Sequence, residues 1–298
     1  MSDLERIAKV IAHSGRASRR EAERMVEEGR VQVNGTVVEH PGTLVNPNQD
    51  HVKVDGHPLP APPEVVVCLL HKPRGYITGR NDPEGRKSVL DLVNNLNVRV
   101  EPVGRLDIDT EGALLLTNDG MLAHKLTHPS SEVPRRYLAK IYRVPSDKTL
   151  NRIRSGVHLE DGRTTPCKAR VVETTDGGNA WIEITVTEGR NRLIRRLLAA
   201  VGHPVSKLRR MSFGTVALRK LERGQHRILT KSEVERLRQI SEGIDPDEAG
   251  KTSRYKQGHA RPRPKKNKPL SRKKNAQRRA RAKARGEKDS TTSKRGRK

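Results

Sequence analysis

The chain has 298 residues, enough for one to three domains, and carries 61 Lys and Arg against 35 Asp and Glu, a formal net charge of +26. That excess predicts a polyanionic partner, nucleic acid first. No apolar run approaches the ~18 residues of a membrane span, and the start lacks a signal-peptide pattern. The two cysteines, Cys68 and Cys167, have no C-x-x-C spacing, so a membrane protein and a thiol redox motif are excluded and the chain reads as cytoplasmic.

Residues 4–13 place Leu4, Ile7, Val10 and Ile11 at helical spacing, and Gly15 follows as a stop. Ser18-Arg-Arg-Glu21 is a capping box, in which the serine accepts from the third helical amide while the glutamate reaches back. Ala22, Met25 and Val26 line one face of that second helix, and Gly29 ends it. Val31 to Val38 predicts a hairpin turning at Asn34-Gly35, and a strand over residues 51–56 closes a module of about sixty residues. Arg16, Arg19, Arg20, Arg24 and Arg30 are its polar cations. Two readings stand: a set of phosphate contacts, or a solvated helix face balanced by Glu21, Glu23, Glu27 and Glu28. Residues 4 to about 56 also resemble the alpha-L RNA-binding domain, and that resemblance favours RNA for Arg16, Arg19, Arg20 and Arg24.

Leu59-Pro-Ala-Pro-Pro63 is a stiff linker. A buried-type strand, Val65 to Leu70, leads into the loop His71-Lys-Pro-Arg-Gly75, and Arg80-Asn-Asp-Pro-Glu-Gly-Arg86 is a second charged loop. Val98 to Val103 and Ala113 to Leu116 read as strands on either side of the charged stretch Gly104-Arg-Leu-Asp-Ile-Asp-Thr-Glu-Gly112. Residues 121–127 read as a short helix ended by His128-Pro129. His124 and His128 have the spacing of a metal pair, but the proline, the missing glutamate between them and the lack of a third ligand argue against one. Further strands are expected at Tyr137 to Arg143, Ala169 to Glu173, Trp181 to Thr187 and between Val205 and Leu218. Helices are expected within 144–155, after Glu188-Gly-Arg-Asn-Arg192, and after the capping box Thr230-Lys-Ser-Glu233.

Strands and helices interleave without a regular βαβ repeat or a Gly-x-Gly-x-x-Gly loop. That predicts an α+β catalytic domain on a mixed, mostly antiparallel sheet rather than a nucleotide-binding fold. Residues 249–298 hold 21 Lys and Arg against Glu287 and Asp289, a net of +19, and almost no bulky apolar residue. Such a segment cannot bury enough surface to offset its ordering entropy and is expected to be disordered. The expected division is 1–58, linker 59–63, 64–244 and tail 245–298.

Taken alone, Asp107 and Asp109 are an aspartate-rich turn. Arg105 two residues before Asp107, the cluster Glu188 to Arg195, and Tyr137 opening a strand between them raise a catalytic alternative. Gly104-Arg-Leu-Asp-x-Asp-Thr-x-Gly-Ala-Leu-Leu-Leu is similar to the catalytic motif of rRNA pseudouridine synthases, in particular the RsuA/RluB-type branch that joins an alpha-L domain to the synthase domain. His71-Lys-Pro-Arg-Gly75, Arg80 to Gly85, Arg135-Arg-Tyr137 and Glu188 to Arg192 resemble further motifs of that family, in the same order. The resemblance spans about residues 4–240. It implies isomerisation of a uridine, with the base detached, rotated and rejoined through carbon, so that no cofactor or metal is needed. Asp107 corresponds to the catalytic aspartate, which must be ionised, a state a nearby cation favours. Arg195 corresponds to the basic residue paired with it, with Arg196 as the alternative. Tyr137 corresponds to the tyrosine that stacks on the flipped base. Arg105 corresponds to a residue that holds the nucleotide out of its helix, and Asp109 to a structural residue capping nearby amides. RNA contacts are further expected from Lys72, Arg74, Arg190 and Arg192. The second charged loop and the Glu188 cluster look more like large-subunit members than small-subunit ones. The implied partner is ribosomal RNA or a pre-ribosomal particle, bound by a monomer without a membrane. The rival reading is a noncatalytic RNA-binding ribosome-assembly protein, which a missing aspartate at 107 would have favoured.

Overall fold

The computed structural model describes residues 4–80 and 82–245. The tail expected to be disordered lies outside the described residues from position 246 onward, as does Asn81 of the second charged loop.

Helices α1 (Ile7–His13) and α2 (Arg19–Glu27) begin the chain. The capping box forms as the spacing predicts, with Ser18 Oγ accepting from Glu21 N at 3.2 Å. α1 starts later than its apolar spacing suggests. Glu5–Arg6 instead pair as a short strand with Leu44–Val45, and Ile7 N donates to Thr43 O at 2.8 Å, so the backbone finds its partners across rather than along the chain. Strands β1 (Val31–Val33) and β2 (Thr36–Val38) form the predicted hairpin. Asn34 and Gly35 both take positive φ, 52° and 87°, as a primed turn requires. β3 (Val52–Val54) pairs with β1. Ile7, Ile11, Ala22, Val26, Val31 and Val54 bury together in a core of their own, against which Leu59 of the expected linker also packs.

The larger sheet contains β4 (Val67–Lys72), β5 (Glu111–Thr117), β6 (Arg135–Ile141), β7 (Lys168–Thr174), β8 (Ala180–Val186), β9 (Val205–Phe213) and β10 (His226–Ile228). Their order is β7-β8-β6-β9-β5-β4-β10, antiparallel throughout except between β9 and β5. The strand expected over Val98–Val103 shrinks to Glu101–Pro102 beside β5, where Pro102 offers no N–H to extend the ladder. Helices α3 (Gly120–Thr127) and α6 (Lys231–Ser241) share a core with Leu69, Leu115 and Phe213. Helices α4 (Asp147–Ser155) and α5 (Leu193–Ala200) share another with β6, β7, β8 and β9. A third lies over β4 and β5 between Leu70, Leu114 and Val93. β8 alternates cleanly: Ile182, Ile184 and Val186 are buried toward α5, while Trp181, Glu183 and Thr185 stay partly exposed on the other face.

The two halves of this sheet meet at a narrow seam. β9 and β5 are joined only at Arg209 with Glu111 and Arg210 with Gly112. Gly112 has φ 126°, and an added Cβ would lie 2.3 Å from Arg210 O. Only glycine allows the two backbones to come this close.

Candidate active site

The charged stretch after Gly104 forms a turn, not a strand, at the N-terminal end of β5. Its backbone is held from several directions. Lys72 is the last residue of β4, a strand buried on both faces, and is itself 0 % exposed. Its Nζ donates to Pro73 O (3.2 Å), Asp107 O (2.9 Å) and Thr110 O (2.8 Å). Gly75 N donates to Ile108 O at 2.8 Å, and Arg195 Nη2 donates to Asp109 O at 3.3 Å. Thr78 Oγ1 donates to Leu106 O at 2.8 Å. Every carbonyl from 106 to 110 is thus fixed by a partner outside the turn. Burial pulls the Lys72 ammonium down to about 8, against the pull of Asp107 and Asp109. Lys72 was expected to touch RNA. Full burial rules out that surface role, and the residue is a clamp on the turn.

Asp107 and Tyr137 line one cavity of about 290 Å³, together with Arg105, Arg135, Arg192 and Arg210. Asp107 lies at its wall with the side chain about one-third exposed, and Arg192 Nη1 is 3.8 Å from its carboxylate. The partner expected from the sequence, Arg195, points elsewhere. Its Nη2 lies 2.9 Å from Asp109 Oδ2, and Arg192 also approaches Asp109, at 3.6 Å. Burial lowers the Arg195 guanidinium from its ordinary value, and Asp109 opposes that shift. Asp109, expected to cap amides, instead receives the two arginines. Arg192 can reach both carboxylates because it opens α5 in the left-handed region, φ 47°, which turns its side chain back over the turn. Arg196, the alternative to Arg195, is bound to Asp161 at 2.8 Å.

Tyr137 is half-buried on β6 between Ile184 and Arg210. Arg105 and Arg74 are exposed, and Arg105 forms no hydrogen bond or ion pair among the described residues. Arg190, expected at RNA, uses its guanidinium inside the protein: Nε to Glu188 (2.7 Å), Nη1 to Gly162 O (3.0 Å) and Nη2 to Arg163 O (2.6 Å). It ties the Glu188 loop to the hairpin of residues 158–163. Arg16, Arg19, Arg20 and Arg24 are all exposed on the first module, with Arg16 3.8 Å from Asp55.

Phe213 also lines the cavity, with two buried guanidinium groups over its ring, Arg135 at 5.1 Å and Arg210 at 5.0 Å from the ring centre. Arg210 is 2 % exposed and donates to Ala113 O at 2.7 Å. Arg210 and Thr110 were not identified from the sequence. The available signal for Arg210 was the alternation of β9, but two consecutive arginines, 209 and 210, leave the inward one undecided without the register.

The histidine pair has its rings 5.4 Å apart, with His128 Nδ1 bonded to Ser130 at 2.7 Å, and the described residues contain no group of three or more His, Cys, Asp or Glu able to hold a metal. Burial raises the Cys68 thiol to about 12 and the Cys167 thiol to about 11. No helix among the described residues is long and apolar enough to cross a membrane.

Comparison with known proteins gives a consistent result. Residues 66–200 match the RNA pseudouridylate synthase family and residues 5–51 match the S4 domain. Ribosomal large subunit pseudouridine synthase B of Bacillus subtilis is 44 % identical over 240 residues, covering 80 % of this chain and 98 % of the relative. The protein of the same name from Yersinia pestis is 39 % identical, covering 80 % of this chain and 76 % of the relative. A crystal structure of a pseudouridylate synthase aligns at a TM-score of 0.56 and 28 % identity, covering 78 % of this chain and 99 % of that one.

Proposed function

The chain belongs to the RNA pseudouridylate synthase family, and from that premise we propose that it converts a uridine of large-subunit ribosomal RNA to pseudouridine with Asp107 as the reacting group. The bond from ribose C1′ to uracil N1 breaks and a bond from C1′ to C5 forms. The C5 proton leaves and N1 gains one, so nothing else is consumed. The observation that carries the residue assignment is that Asp107 and Tyr137, from two distant segments, line one cavity. Tyr137 offers a face for the uracil, Arg105 the exposed cation at the rim, and Arg192 the guanidinium nearest the carboxylate. Arg195 acts through Asp109 to hold the turn. Residues 1–58 dock on RNA through Arg16, Arg19, Arg20 and Arg24, residues 64–244 carry out the reaction, and the chain works as a monomer in the cytoplasm. The test is incubation with unmodified transcripts of large- and small-subunit rRNA, followed by pseudouridine mapping. Conversion in the large-subunit transcript supports the reading. Conversion only in the small-subunit transcript moves the substrate, and none in either leaves a noncatalytic RNA-binding protein.

Lys72 gives this reaction an expected alkaline limit. Only the ammonium form can donate to all three of its carbonyls, so turnover should fall as pH rises through about 8. The folded value lies below the ordinary 10.5, so between the two the unfolded chain binds more protons. Stability from this group therefore rises with pH in that window, and the loss of turnover is not unfolding. Lys72→Met should lower kcat by about 10²-fold through a displaced turn and remove the limb near pH 8. A variant with the wild-type pH profile would refute the clamp.

The basic tail is assigned nonspecific affinity. Removing residues 249–298 should weaken RNA binding at least about tenfold at low salt and flatten its salt dependence, because this contribution is counterion release. Unchanged affinity and slope would remove that role.

A further inference from the structure

The face of the large sheet turned away from α4 and α5 has no part in the cavity, and the strand register orders its side chains into rows. One row runs Glu173, Trp181, Lys140, Lys207 across β7, β8, β6 and β9. The next runs Arg170, Glu183, Leu138, Arg209, Glu111. Each of these residues is at least partly exposed. In the second row the acids are shared: Glu183 takes Arg136 and Arg170, and Glu111 takes Arg209 and Arg223. In the first row, Lys140 and Lys207 are direct cross-strand neighbours, and neither ammonium forms an ion pair among the described residues. Like charges directly opposite each other on a sheet are unfavourable. The protein keeps such a pair beside Trp181, the one tryptophan in the chain.

We propose that this face is a second RNA-binding surface, where an unpaired base stacks on Trp181 and adjoining phosphates bind Lys140 and Lys207. The ring has Glu173 on one side and the two unpaired ammonium groups on the other. An aromatic ring flanked by cations on one side has the chemistry of a single-stranded nucleic-acid platform: the ring stacks any base and the ammonium groups follow the backbone. An acidic peptide would use the lysines but give the indole no planar partner. A lipid surface would need more apolar side chains than Trp181 and Leu138. The row lies on the reverse of the strands that carry Tyr137 and Arg210, so the surface takes a segment of RNA other than the one whose uridine enters the cavity. The inference rests on the RNA substrate proposed above and adds a second contact with the same polymer.

The single tryptophan makes the test direct. The full chain is titrated with a fluorescein-labelled single-stranded RNA of mixed sequence, about 20 nucleotides long, a length that spans one such platform. Trp181 emission and label anisotropy are read together. The expected result is quenching of Trp181 that saturates with the anisotropy. Lys140→Glu/Lys207→Glu should raise the Kd reported by Trp181 about tenfold and lower the slope of log K against log salt by about 1.4, two contacts at about 0.7 each. On large-subunit rRNA the same variant should raise KM and leave kcat unchanged. Constant Trp181 emission while the anisotropy saturates overturns the proposal, and so does absence of binding of this RNA. Failure of the substrate reading looks different: Trp181 quenches, but wild-type protein converts no uridine in rRNA.

Discussion

Asp107→Asn is expected to abolish pseudouridine formation, by 10⁴-fold or more on the order of what loss of a covalent nucleophile costs, while leaving RNA affinity unchanged. The amide keeps the size and planarity of the carboxylate and removes its charge and nucleophilicity. The turn should not move, because its position is set by main-chain carbonyls gripped by Lys72, Gly75 and Arg195. The cations that approach it, Arg192 and Arg195, keep Asp109 as a partner. Release of tritium from 5-tritiated uridine in transcribed rRNA measures the loss, since C5 gives up its hydrogen when it bonds to C1′. Residual turnover near one-tenth of wild type would shift the nucleophile to another group, with Asp109 first in line.

Gly112→Ala should be nearly as damaging by a different route. The new Cβ would meet Arg210 O at 2.3 Å, Arg210 N at 2.5 Å and Arg210 C at 2.9 Å. These are main-chain atoms of a strand, not the end of a flexible side chain, and φ 126° is closed to alanine. Relief requires β5 and β9 to separate, and they share only two residue pairs. The expected cost is about 3 kcal/mol or more, a fall in Tm of roughly 6–12 °C. Activity should fall further than stability, since Asp107 stands on one side of the seam and Tyr137 with Arg210 on the other. Gly177→Ala, in an open hairpin turn, is the control and should stay within about 0.5 kcal/mol of wild type. A Gly112→Ala protein melting with wild type would show that the seam tolerates separation.

The parts of this fold that the chain announces are those decided by neighbours in sequence. The capping boxes at Ser18 and Thr230 and the turn at Asn34-Gly35 form as their spacing requires, and the alternation of β8 gives its two faces directly. The misjudged details depended on distant partners. Lys72 lies in the loop-like motif of residues 71–75 and looks like a surface cation, yet it ends a strand covered on both sides. The apolar run before it was the available warning. Asp107 and Asp109 are equivalent candidates for Arg195 as far as spacing goes. The choice between them follows from the fold of the turn and from a left-handed residue at 192. Arg210 becomes visible only once the register of β9 against β6 and β5 is known.

A turn gripped by its carbonyls leaves its side chains free to change. Ile108 projects from the middle of this one, 38 % exposed, while its own carbonyl is held by Gly75. The position is therefore a ready attachment point. With both native thiols raised by burial, an Ile108→Cys protein would carry one fast-reacting sulfur beside Asp107. An RNA bearing an electrophile could be tethered there and the captured nucleotide read out by sequencing, which would recover the enzyme's address from the RNA side.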